Sequence, residues 1–260
     1  LPEDFEKDEK AGGIMRYGIP DFKLGKKILD RRIDLMKNEG VEFTVKTEIG
    51  KDIPVKRLLK EFDAVCLTGG SRHPRDLNIE GRQLKGIHFA MEYLVQSNKR
   101  IAGAKIPEGE LIDAKGKKVV VIGGGDTGAD CVGVANRQGA SVVKQIEIMG
   151  KPLLCRPKDQ PWPLYPNIFK SSTSHEEGAD RHWEVCTNKF IGSDGAVKKL
   201  TCTKEDSAFE IEADLVLLAL GFLHSEEDGP ISELGLELDA RKNIKTDRDY
   251  MTSHKGVFCA

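Results

Sequence analysis

In the run Lys117-Lys118-Val119-Val120-Val121-Ile122, four β-branched residues pass directly into Gly123-Gly124-Gly125-Asp126-Thr127-Gly128. Consecutive apolar positions suit a strand buried on both faces, as in a parallel sheet. Gly123, Gly125 and Gly128 fall at G-x-G-x-x-G spacing. In that pattern the first glycine permits the turn, the second lets backbone N–H groups approach a pyrophosphate, and the third allows close helix–strand packing. A helix opening near Asp126 aims its unpaired N–H groups and its dipole at such an anion. The same glycines also suit a purely structural turn. The order of strand, glycines, helix and a later acidic residue favours dinucleotide binding, and with it an α/β fold.

That acidic residue is Glu147. A helix is expected from Asp126 to about Gln138, with Gly139 as its C-terminal cap. Residues 141–147 then read as a second strand. A carboxylate at the end of that strand, about twenty residues beyond the glycines, accepts hydrogen bonds from ribose hydroxyls and repels a 2′-phosphate. This favours NADH over NADPH, while Lys144, Lys151 and Arg156 nearby pull the other way. In the alternative reading Glu147 only caps an exposed strand end. The residues assigned to the nicotinamide dinucleotide are Gly123, Gly124, Gly125, Asp126, Thr127 and Glu147.

At 260 residues the chain is long enough for one large or two modest domains. Forty basic and 42 acidic residues leave a formal net charge of −2, which gives no reason to expect nucleic acid or an anionic membrane as a partner. The longest apolar runs are too short to span a bilayer. The six cysteines form no C-x-x-C pair, which argues against zinc or an iron–sulfur cluster of ordinary spacing held by this chain. A reducing, cytoplasmic setting is the simplest expectation. His73, His88, His175 and His182 have no evident partner in sequence, and exposed or structural roles are expected for them.

The flanking segments read as a second, incomplete nucleotide-binding unit. Residues 4–8 form a strand rich in carboxylates ahead of Ala11-Gly12-Gly13. An amphipathic helix is expected over 21–38, with Leu24, Ile28, Leu29 and Ile33 on one side. A strand over 41–45 and a short helix over 56–62 follow. A buried strand over 63–67 then exits through Thr68-Gly69-Gly70. Residues 88–98 read as a helix and 101–115 as a polar connector and domain crossing. The proline-rich stretch 151–177 suits either a cover over a cleft, using Trp162 and Tyr165, or a solvent loop. Residues 183–190 and 197–203 read as strands joined by Gly192-Ser193-Asp194-Gly195. Residues 213–222 read as another buried strand, and 244–250 and 256–260 as short strands. The expected division is 1–105, 106–222 and 223–260, the last returning to the first domain.

Residues 12–24, from Gly12-Gly13-Ile14-Met15-Arg16-Tyr17-Gly18-Ile19-Pro20 to Asp21-Phe22-Lys23-Leu24, closely resemble the small (β) subunit of glutamate synthase. So do residues 123–131, Asn136-Arg137-Gln138-Gly139-Ala140, Pro161-Trp162-Pro163 and Ser174-His175-Glu176-Glu177-Gly178. The resemblance implies two nested dinucleotide-binding, three-layer Rossmann-like domains, one for FAD and one for NAD(P)H. It places Glu6 at the FAD ribose, with Gly13, Thr68 and Gly69 near the flavin nucleotide, and Ala219 and Gly221 where the domains meet. In that family a hydride passes from NAD(P)H to FAD, and electrons continue through iron–sulfur clusters to a large (α) subunit that makes glutamate. Those clusters are expected outside this chain. A related reductase with another acceptor, such as a ferredoxin-linked transhydrogenase, uses the same module. A nucleotide-binding fragment without turnover is a further alternative. The family's first glycine turn and cysteine-rich domain precede the position of Leu1, and its Gly-Asp segment follows that of Ala260. Leu67 stands where the family has alanine. The expectation is a fragment whose FAD domain is truncated at both ends. No catalytic side chain is expected, because the protein mainly positions cofactors.

Overall fold

The computed structural model describes residues 1–260. The chain forms two compact units, one interrupted in sequence by the other. The first comprises Leu1–Arg16, Gly25–Arg75 and Gly221–Ala260, and the second Tyr17–Leu24 and Asp76–Leu220.

The first unit opens with β1 (Glu3–Glu6), α1 (Gly13–Tyr17, which runs one residue into the second unit), α2 (Lys26–Asn38), β2 (Glu42–Val45), α3 (Val55–Glu61) and β3 (Val65–Leu67). In the second unit follow β4 (Ile87–Phe89), α4 (Ala90–Ile101), β5 (Lys118–Ile122), α5 (Asp126–Arg137) and β6 (Val142–Glu147). After them come α6 (Thr173–Glu176), β7 (Asp180–Trp183), β8 (Cys186–Ser193), β9 (Ala196–Lys204), β10 (Ser207–Glu212) and β11 (Leu215–Leu218). The chain then returns to the first unit with α7 (Pro230–Leu234) and β12 (Val257–Cys259).

The second unit has three layers around a five-stranded sheet of order β4-β11-β5-β6-β7, parallel throughout. Alternation along β5 and β11 explains their unbroken apolar runs. Val119, Val121, Leu215 and Leu217 pack with α4 and α5 residues such as Tyr93, Leu94, Cys131 and Val132. Val120, Ile122, Val216 and Leu218 pack on the other face with Phe190, Val197, Leu200 and Ile211 of the antiparallel β10-β9-β8 sheet. Both faces are therefore dry. Tyr93 is fully buried, and its hydroxyl donates to Gln138 Oε1 at 3.0 Å.

The first unit holds two parallel pairs, β1 with β2 and β3 with β12. Val55, Leu58 and Val65 form its core, with Phe5, Phe62 and Leu67 against it. Only one side of β3 is covered, since Ala64 and Cys66 are exposed. The strand expected to be buried here is thus half-buried. The helix expected over 21–38 begins only at Lys26, and of its apolar residues Leu29 is buried while Ile28 and Leu35 are exposed.

The departure at 21–24 has a physical cause. These residues belong to the second unit, where residues 17–24 lie as a strap over α4 and α5. Asn98 Nδ2 donates to the carbonyls of Tyr17, Gly18 and Ile19 at 2.9, 3.3 and 3.1 Å. Lys23 pairs with the buried Asp130 of α5. Phe22 lies under the Arg137 guanidinium, 3.8 Å from its ring centroid. A Cβ at Gly133 would meet Phe22 Cζ at 2.7 Å, so this helix glycine makes room for the strap.

Residues 76–105, expected in the first domain, fall in the second unit because β4 joins the sheet beside β11 and α4 packs on it. The connector after α4 is therefore not where the chain crosses; the boundaries are Arg75/Asp76 and Leu220/Gly221. The chain also forms β7 and β10, which the sequence did not signal, whereas residues 244–250 contribute only isolated bridges. Trp162 and Tyr165 are exposed on the irregular stretch before α6, as expected of a solvent loop.

Asn98→Ala removes the donor shared by three strap carbonyls, a loss of ~1–3 kcal/mol for buried acceptors. A lowered urea midpoint with an unchanged slope is expected. An unchanged midpoint would show that the strap is held by Lys23 and Phe22 alone.

Candidate dinucleotide-binding site

The glycine turn stands at the carboxyl end of β5, between β6 on one side and β11 on the other. The chain runs from β5 to β6 in one direction and reaches β11 in the other. This reversal of strand order leaves a crevice for ligands in open α/β sheets.

Each glycine has a distinct reason. Gly123 has φ +125° and its Cβ would overlap the Ala219 carbonyl; Ala219 itself donates its N–H to Ile122 O at 2.8 Å. A Cβ on Gly128 would overlap the Gly123 carbonyl and meet Gln145 Nε2 at 2.7 Å. Gly125 differs, for nothing lies within 4 Å of its Cβ position. It is the N-cap of α5, an extended residue without a capping side chain. The N–H groups of the first turn of α5, from Asp126 and Thr127 onward, have no intrahelical acceptors. They face the end of the sheet with the positive pole of a twelve-residue helix behind them.

Glu147 ends β6 beside this turn. Its Oε2 accepts the Gly124 N–H at 2.6 Å and its Oε1 the Met149 N–H at 3.0 Å. Each oxygen keeps acceptor capacity for a hydroxyl donor. These residues fit the pyrophosphate and ribose of a dinucleotide. The structure thus gathers Gly123, Gly124, Gly125, Asp126, Thr127, Glu147 and Ala219 around one strand end.

Two further side chains lie behind the turn. Gln145 is almost fully buried and donates from Nε2 to the Gly123 carbonyl at 2.8 Å. His175 Nε2 lies 2.9 Å from Gln145 Oε1, and its Nδ1 accepts the Ser172 N–H at 3.1 Å. Desolvation, then Arg181 and Lys23, pushes the His175 pKa down to about 4. The ring is neutral, with its proton on Nε2. A structural role was expected for His175; its partner was missed. The signal for Gln145 was a polar residue inside an apolar strand, two positions before Glu147 and so on the same face.

In the first unit Glu6 closes β1 and accepts the Asp8 N–H at 3.0 Å. Gly13 opens α1 with φ +47° and open space at its Cβ position. Thr68 and Gly69 are exposed beyond β3, and Arg72 after them reaches Asp8 at 3.5 Å. Gly221 is exposed where the chain re-enters the unit. These residues fit a ribose hydroxyl and close backbone approach. The chain has no second glycine turn of the Gly123–Gly128 kind to hold a second pyrophosphate.

Residues 26–260 match the family model of the pyridine nucleotide-disulphide oxidoreductases. The chain belongs to this family. It is 46% identical over 98% of its length to the glutamate synthase [NADPH] small chain of Mycobacterium tuberculosis, spanning 55% of that protein. It is 40% identical, again over 98%, to glutamate synthase [NADH] of Schizosaccharomyces pombe, covering 13% of it. Among solved structures, Mycobacterium tuberculosis FprA in complex with NADPH superposes with TM-score 0.71 at 14% identity, over 99% of this chain and 70% of that one. Thioredoxin reductase of T. acidophilum gives 0.66 at 18%, over 98% and 80%. These two likenesses show the α/β fold.

Two predictions follow from the turn and its support. Gly128→Ala drives a methyl into the Gly123 carbonyl and should cost ~1–3 kcal/mol, whereas Gly125→Ala, with open space at its Cβ, loses only a glycine cap and should lower the melting temperature less. Equal melting temperatures for the two variants would contradict the packing described. For His175 the folded pKa lies below the unfolded value of 6.5. As pH falls, the unfolded ring takes up its proton first, so stability drains between pH 6.5 and about 4. Urea midpoints should decline across that window, less steeply in His175→Gln; parallel slopes would contradict a neutral ring.

Proposed function

We propose that this chain is the NAD(P)H-binding part, with a portion of the FAD-binding part, of the electron-input subunit of a glutamate synthase. When bound, NAD(P)H and FAD supply the hydride donor and acceptor; in the whole protein electrons continue through iron–sulfur clusters outside this chain to the large subunit, where glutamine and 2-oxoglutarate give glutamate. A cytoplasmic setting is part of this proposal.

The observation that carries the nucleotide part is the pairing of Glu147 with the Gly124 N–H at 2.6 Å, beside a helix N-terminus that is open at Gly125. The glutamate synthase part is supported by likeness along 98% of the chain to proteins bearing that name. The chain's own residues bind and orient. The first-turn N–H groups of α5 receive the pyrophosphate, and Glu147 receives the adenosine ribose. Glu6, Gly13, Thr68 and Gly69 are assigned to the flavin nucleotide.

No acid–base or thiol side chain is assigned a step. The six cysteines are all free. Burial pushes the Cys131 thiol up and takes Cys202 to about 11, so neither is a thiolate at neutral pH.

The carboxylate of Glu147 favours NADH, because a 2′-phosphate at the same place meets a negative charge. The relatives carry both names, NADPH in Mycobacterium tuberculosis and NADH in Schizosaccharomyces pombe. Calorimetric titration of the chain with NADH and NADPH tests the assignment. NADH should bind at least about tenfold tighter, equivalent to ~1.4 kcal/mol, and Glu147→Ser should narrow the gap. Gly125→Ala should fold normally and weaken both nucleotides. Tighter NADPH binding would overturn the role of Glu147, and binding of neither nucleotide would overturn the site.

A further inference from the structure

The peptide between Gly123 and Gly124 is gripped at both ends by side chains of one strand. Its carbonyl accepts the Gln145 carboxamide at 2.8 Å, and its N–H donates to Glu147 at 2.6 Å. Gln145 and Glu147 are two positions apart on β6, so both project to the same face. Gly123 and Gly124 carry no side chain that resists rotation of this peptide, and glycine pairs pass readily between conformations. The orientation therefore comes from outside the turn.

Glu147 accepts either a ribose hydroxyl or a backbone N–H, so its grip is exchangeable. Gln145 is different. It is buried, and its amide has a carbonyl at one end and an imidazole at the other. The direction of every hydrogen bond behind the turn is fixed by one backbone donor. The Ser172 N–H points at His175 Nδ1, leaving the ring proton on Nε2. That proton is given to Gln145 Oε1, and the Gln145 Nε2–H to Gly123 O. Ser172 is itself held in place as the residue that caps α6.

We infer that Gln145 and His175 are positioning residues for dinucleotide binding: they lock the 123–124 peptide so that its carbonyl points away from the ligand. With the lock released, the carbonyl oxygen of Gly123 is free to turn to the side where the Gly124 N–H now meets Glu147, setting a repulsive oxygen against that carboxylate and displacing it from the ribose. This inference rests on the dinucleotide-binding reading of the turn. The charged groups facing His175 are Arg181 of β7 and Lys23 of the strap, and Lys23 is paired with Asp130 of α5. Burial first, and then both cations, oppose a charged ring, so the lock stays neutral across the physiological range.

The test is NADH titration of the chain and its variants, with folding checked by thermal melts. Gln145→Leu and His175→Ala should weaken NADH by about tenfold or more. His175→Gln should stay within about threefold of the parent chain, because a carboxamide also offers an acceptor toward Ser172 and a donor toward Gln145. Gln145→Glu separates positioning from bulk packing. Its carboxylate has no donor for Gly123 at about pH 8, but the protonated acid has one. Its NADH affinity should therefore recover on moving to about pH 5.5, while that of the parent chain does not rise. Folded His175→Ala and Gln145→Leu chains that bind NADH like the parent would overturn the inference, as would a Gln145→Glu chain with no recovery. If those variants fail to fold, nitrogen NMR of the parent ring decides: a proton on Nε2 is required, and one on Nδ1 overturns the relay. A parent chain that binds neither NADH nor NADPH would instead refute the dinucleotide-binding reading itself.

Discussion

Gly123 is pressed between the carbonyl of Ala219 and the Cα of Gly128, and the rest of the second unit is arranged around that contact. A methyl group at Gly123 or Gly128 would collide with backbone, which cannot move aside as a flexible side chain can. Close packing brings the N-terminus of α5 to the end of β5, where its unpaired N–H groups converge. The turn is therefore a product of backbone proximity. Its orientation is set separately, by two polar residues of β6 gripping one peptide from both ends.

The sheet beneath the turn is what makes such close tolerances possible. β5 and β11 send alternate side chains into two different cores, one under α4 and α5 and one under the antiparallel sheet. A strand with two dry faces has no sliding register, since a one-residue slip would exchange its two cores. Each fully buried aliphatic side chain contributes ~1.5–3 kcal/mol of transfer free energy, so the strands at the centre of the unit are the hardest to displace. Gln145 and Tyr93, two polar side chains that remain inside, carry hydrogen-bonding partners. This keeps the cost of burying them low.

Much of this was legible in the sequence, for identifiable reasons. The apolar run at 118–122, the glycines and Glu147 carry strong local signals, and β5, α5 and β6 lie within a residue or so of their expected positions. The hairpin between β8 and β9 was visible because Asp194-Gly195 supplies the two positive-φ positions that a two-residue turn needs. The following turn into β10 uses Glu205 and Asp206 at positive φ, without glycine, and was invisible for that reason. β4 was read as the start of a helix because three residues are too few to display a period. β7 took its place from pairing with β6, a contact that no local pattern announces. Likewise Gln145 was a polar residue in a strand, and only the fold brings it to Gly123.

The strap over α5 shows why a buried charge is retained in an otherwise apolar helix. Asp130 is buried among Ala129, Cys131 and Val132, and its partner Lys23 comes from a segment whose neighbours on both sides in sequence belong to the other unit. Burying the pair costs several kcal/mol of desolvation per ion, which the Coulombic attraction offsets only with good geometry. An apolar pair of equal volume would hold the strap at least as tightly. It would, however, accept any apolar segment, while an uncompensated Asp130 accepts only one that brings a cation. The same logic applies to Asn98, whose carboxamide is met by three consecutive carbonyls, those of Tyr17, Gly18 and Ile19. Selectivity for this segment, more than net stability, is what these polar contacts contribute.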